Sequence, residues 1–135
     1  LRFLPSMKEF RKQVQQEKPY SFSYTPPKSA QTKTETACKL TIAPNKGWEL
    51  KTGSNAPPFK AKLTHSVGIK LEKTTFVNTD LTQPDPATST KEIATSFTPK
   101  ATGSHTIDAR VTFFVCSNSI CKRFKHQATC NVEVE

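Results

Sequence analysis

Cys116 and Cys121 are separated by four residues and followed at once by Lys122 and Arg123, with Lys125 just beyond. The thiolate is the reactive form of cysteine, and neighbouring cations favour it over the thiol. Four intervening residues let the chain reverse, so the two cysteines can approach to disulfide distance. A bridge beside cations is open to exchange with an incoming thiolate. Closing so short a loop removes little chain entropy, so stability alone is a poor reason for it. A static hairpin staple, bound metal and free thiols are the other uses of such a pair. Cys38 and Cys130 complete an even set of four. In a short chain with a small core, an even count points to disulfides and an oxidising compartment, and it leaves the connectivity open.

Other chemistry lacks ingredients. Cys116, Cys121, His126 and Cys130 are metal-ligand types, but a zinc knuckle needs its first two cysteines closer together. Alternation also points His126 and Cys130 into a core, away from the loop. We therefore expect no metal and no cofactor. None of the 11 acidic residues is paired at a spacing that forces two carboxylates together. His65, His105 and His126 are isolated, and Ser104 with His105 has no third group to complete a nucleophile–base arrangement. No glycine-rich phosphate loop occurs among the four glycines.

The elements that position these residues are strands. The chain has 135 residues, 34% of them hydrophobic, enough for one domain with a modest core. No apolar run is long enough to cross a membrane. The net charge of +9 raises nucleic-acid binding, but the lysines are spread through every segment. Tyr20, Phe22 and Tyr24 could stack on bases, yet alternating aromatics belong more often to the inner face of a strand. We expect no nucleic-acid partner. Lys122, Arg123 and Lys125 remain candidates for an acidic partner.

Residues 1–34 read as a basic N-terminal segment and linker. Ser6 and Glu9 match a capping box, and Phe3, Met7, Phe10 and Val14 share a helical face, which predicts a helix over 6–17. Residues 35–135 read as an antiparallel β-sandwich. Cys38, Leu40 and Ile42 alternate with polar residues; so do Phe59, Ala61 and Leu63, and then Val67, Ile69 and Leu71. Residues 78–90 predict the longest loop. The pattern is clearest at the end. His105, Ile107, Ala109, Val111, Phe113 and Val115 share one face, and Phe124, His126, Ala128, Cys130, Val132 and Val134 share another. Two long strands joined by a short polar loop predict a hairpin. Strands at regular intervals without interleaved helices predict the sandwich. Parity turns Cys38 and Cys130 inward on its first and last strands. A bridge between them would close a loop of about 90 residues, where chain-entropy models give roughly 4–5 kcal/mol. Two separately buried thiols are the alternative. Cys116 continues the outward face of Thr112 and Phe114.

The run from Val111 through Phe113, Phe114, Val115 and Cys116 to Cys121, entered from the turn Gly103, Ser104, His105, resembles the N-terminal periplasmic domain of the thiol:disulfide interchange protein DsbD. In that family an aromatic strand runs into a cysteine hairpin. Pro44 to Trp48, followed by Asn55 to Pro58, is similar to its glycine-aromatic and proline-containing loops. The resemblance spans residues 36–134. It implies an immunoglobulin-like sandwich in a bacterial periplasm. It also implies that Cys116 and Cys121 pass electrons to thioredoxin-like partners, with Cys121 forming the mixed disulfide and Cys116 resolving it. Lys122 and Arg123 stand where family members often carry proline, and the Cys38/Cys130 pair is no part of the pattern. The sequence thus supports two functions. One is periplasmic thiol–disulfide exchange through Cys116 and Cys121. The other is a secreted or envelope module, stapled by both pairs, that binds or assembles with another protein.

Overall fold

The computed structural model describes residues 18–50 and 59–135. Nine strands run through these residues: β1 (Tyr20–Thr25), β2 (Thr36–Pro44), β3 (Glu49–Leu50), β4 (Lys60–His65), β5 (Ile69–Leu71), β6 (Thr75–Val77), β7 (Lys91–Pro99), β8 (Gly103–Cys116) and β9 (Cys121–Val134). One sheet has the order β1-β2-β7-β5. In the other, β8 is central, paired with β9 on one side and with β4 and β3 on the other, and β6 pairs β4. All pairings are antiparallel. This is an immunoglobulin-like β-sandwich, with β1-β2-β7-β5 in the place of strands A, B, E and D, and β4-β8-β9 in the place of C, F and G.

Period-two patterning builds the core. Leu40 and Ile42 from β2, with Ile93 and Phe97 from β7, face Ile107, Val111, Phe113 and Val115 from β8, all 2% exposed or less. Most of their alternate neighbours turn outward and are polar, with exceptions such as Ala94 and Phe114, so each strand buries one side only. Gly68 is buried where the His105 ring crosses it, and a Cβ there would have no room.

Several expectations change. The register of β1 against β2, from Tyr20↔Pro44 to Thr25↔Lys39, carries the sandwich back to Tyr20, ahead of the boundary at residue 35 that composition suggests. The aromatic alternation of this segment gives an edge strand its buried side. Val67 is 95% exposed in the turn before β5, because only Ile69 onward pairs with β7. The 78–90 loop opens with a 3-10 turn, Asn78–Asp80, and is pinned by Thr82 pairing with Glu92. The helix expected over 6–17 and the loop of residues 53–58 lie outside the described residues.

Candidate functional site

The four cysteines form two disulfides in unlike surroundings. Cys38 and Cys130 are joined across a sequence separation of 92, with Cα atoms 6.6 Å apart, and both are 0% exposed. Because β2 and β9 belong to different sheets, this bond ties the two layers covalently. A buried polar chain lies beside it. The Thr95 hydroxyl donates to the Cys38 carbonyl at 3.0 Å, so the Tyr24 hydroxyl, 2.7 Å from Thr95 Oγ1, is the donor in that contact. Burial pushes the Tyr24 phenol up to about 12, against the opposing pull of the Thr95 hydrogen bond and with a smaller push from the Asp108 charge.

Cys116 and Cys121 are joined at the tip of the β8–β9 hairpin, with Cα atoms 4.0 Å apart and a sequence separation of 5. Ser117 N–H donates to the Ile120 carbonyl at 2.8 Å and closes the tip. The two ends differ. Cys121 is exposed, whereas Cys116 is 2% exposed. Outward parity with Thr112 and Phe114 suggests an open Cys116, but its strand end is flanked on one side by β3, through the Glu49↔Cys116 pairing, and on the other by Cys121. The Lys122 ammonium lies 5.9 Å from the Trp48 ring centroid at this end of the sandwich.

A third feature joins edge strands of the two sheets. The Tyr20 ring meets Phe113 and Phe124 edge-on at 5.0 and 4.9 Å. Phe22 stacks on His126 at 4.0 Å, and the Tyr20 hydroxyl lies 3.3 Å from His126 Nδ1. Burial first, and the Lys18 charge second, hold the His126 imidazole below its ordinary value, so its neutral form is favoured. This seam uses both His126, read as a core residue, and the alternating aromatics of residues 20–24, read as the inner face of a strand.

Alternation divides the cationic run. Lys122, opposite Val115, has inward parity and reaches Trp48, while Arg123 and Lys125 lie on the outer face, opposite Phe114 and Thr112. Among the described residues no group of three His, Cys, Asp or Glu side chains is placed to hold a metal ion. His65, His105 and His126 are scattered over three strands. His65 Nδ1 contacts the Ser66 carbonyl at 2.7 Å, and His105 Nε2 contacts the Ala101 carbonyl at 2.9 Å.

Fold and bonds together define a disulfide-containing, immunoglobulin-like β-sandwich. No helix of the described residues is long and apolar enough to cross a membrane. No family model matches the chain. No curated protein matches it either. Among solved structures it is similar to AggA, the major subunit of aggregative adherence fimbriae type I from Escherichia coli. Sequence identity is 11%, the overlap covers 87% of this chain and 95% of that chain, and the TM-score is 0.46.

Proposed function

We propose that this is a non-enzymatic, extracytoplasmic module whose two disulfides are staples and whose sandwich presents surfaces for binding or assembly. The observation that carries this reading is the sealed Cys38–Cys130 bond between the sheets. A covalent tie of that kind forms and persists in oxidising compartments and gives rigidity to a small core. The open edge of β9 supports the binding side. Among the described residues, its 14 residues pair with β8 alone, and such an edge is a ready template for another chain.

A second reading rests on the hairpin tip. Cys121 is exposed and adjoins Lys122 and Arg123, whereas Cys116 is buried. A partner thiolate would therefore meet Cys121 Sγ, break the bond and displace Cys116 as a thiolate. This is the exchange step expected of a DsbD-like periplasmic domain acting on a thioredoxin-like protein.

One measurement separates the two. The folded protein is equilibrated in thiol–disulfide buffers of graded poise, alkylated, and each pair is quantified by mass spectrometry. Staples persist well below the potentials of exchange catalysts, to about −300 mV or lower. We expect both pairs to stay oxidised at about −200 mV. Reversible reduction of Cys116–Cys121 at that poise, with Cys38–Cys130 intact, would replace the first reading with the second.

A further inference from the structure

The outer face of the β4-β8-β9 layer carries a cationic grid. Register places Lys62 opposite Arg110 and Arg110 opposite Gln127; one step along, it places Lys60 opposite Thr112 and Thr112 opposite Lys125. Parity turns all six outward, since Ala61, Leu63, Ala109 and Val111 between them are buried. Lys60, Lys62, Arg110, Lys125 and Gln127 are exposed, and Thr112 is half-buried. The six therefore form two rows of three, about 4.8 Å apart across strands and about 6.8 Å along them.

Every group in the grid donates hydrogen bonds: three ammonium groups, one guanidinium, a hydroxyl and a carboxamide. None of the four cations forms an ion pair with an acidic side chain among the described residues. The nearest acid on this face of β8, Asp108, accepts a hydrogen bond from the Thr129 hydroxyl. Two cations elsewhere are paired, Lys39 with Glu92 at 3.5 Å and Lys73 with Asp80. Lys62 directly opposite Arg110 is a like-charge cross-strand pair, an arrangement that opposes folding. An anion bound over the grid removes that repulsion.

We propose that this face binds a sulfated or carboxylated polysaccharide. The choice of ligand follows from what the grid holds and lacks. All six side chains of the grid are polar. The apolar neighbours on this face, Val77 opposite Lys60 and the half-buried Phe114 beyond Thr112, stand only at its margin. Burial of hydrophobic area, which drives docking of a folded protein, therefore has little to act on. Its one aromatic neighbour, the half-buried Phe114, gives no row of rings for successive bases, as a single-stranded nucleic acid requires. A linear chain with an anionic group every few ångströms meets regularly spaced cations, and its hydroxyls meet Thr112 and Gln127. The grid lies on the sheet face, away from the hairpin-tip cysteines, so the proposal stands whichever reading of those cysteines holds.

The test uses the full chain and a size-defined heparin oligosaccharide, with binding measured by calorimetry at 0.15 M NaCl. Arg110→Gln with Lys125→Gln should weaken binding about tenfold or more, while Lys28→Gln with Lys100→Gln, an equal loss of charge at exposed sites elsewhere, should change it less than about twofold. Amide NMR shifts on adding the oligosaccharide to the unaltered protein should centre on Lys60, Lys62, Arg110 and Lys125. Equal weakening by the two double variants would assign the binding to net charge and overturn the site. So would absence of heparin binding, or shifts centred elsewhere. Equally tight binding of polyglutamate or a DNA duplex of matched length would overturn the choice of polysaccharide.

Discussion

The two disulfides are chemically the same bond in opposite settings. Cys38–Cys130 is sealed, joins different sheets and spans 92 residues, while Cys116–Cys121 sits at the tip, joins strands already paired along their full length and spans 5. A cross-link acts mainly by restricting the unfolded chain, so its effect grows with the loop it closes. The first bond therefore bears on whether the sandwich exists. The second bears on how its hairpin ends, and on whether a sulfur is within reach of a visitor.

The largest expected effect is from Cys38→Ala with Cys130→Ala, which should cost about 4–5 kcal/mol in guanidinium denaturation. Cys116→Ala with Cys121→Ala should cost only about 2 kcal/mol, because the closed loop is short. If the two losses were equal, the contrast would collapse. Thr95→Val tests the polar chain beside the sealed bond. It strips the Tyr24 hydroxyl and the Cys38 carbonyl of a shared partner and should cost about 1–3 kcal/mol, read from the same denaturation curves. A corresponding Ser119→Ala change at the exposed tip should fall within about 0.5 kcal/mol.

Two further tests lie in pH dependence. His126 has a folded-state pKa below its ordinary 6.5, so the unfolded chain takes up the proton first. Its contribution to stability is complete at neutral pH, declines as pH falls below about 6.5, and levels off below the depressed folded value. The slope of stability against pH between 7 and 5 should shrink in His126→Gln. Tyr24 acts at the other end of the scale. Its phenol is raised to about 12, so stability should decline as pH climbs above 10 and the unfolded chain ionises first. Tyr24→Phe should reduce that decline, leaving the part due to Tyr20, whose phenol burial also pushes up.

The long strands are legible because alternation over six positions is hard to mistake. The same rule that identifies β8 and β9 also turns Cys38 and Cys130 inward. It cannot show which strands are neighbours, and this hides the rest. Trp48 and Leu50 alternate as a short strand does, but two residues of β3 and three of β6 are too few to show what they border, so the flank that buries Cys116 is not visible locally. Arg110 reads as an outward residue from its own strand, but its juxtaposition with Lys62 and Lys125 depends on register between strands far apart in sequence. The local cluster Lys122, Arg123 and Lys125 draws the eye instead, and alternation sends its members to different faces. Tyr20 and Phe22 alternate as a strand does, but nothing local shows which residues they pack against. Their partners, Phe113, Phe124 and His126, are about 90 to 106 residues away, a distance no local pattern spans.

The bond between Cys38 and Cys130 also has a mechanical meaning. Tension applied at residue 18 and at residue 135 would pass from β2 straight into β9 through sulfur, bypassing everything between. In an optical trap, the oxidised chain should yield only the slack outside that ring. Reduction should release the remaining length in a further extension step.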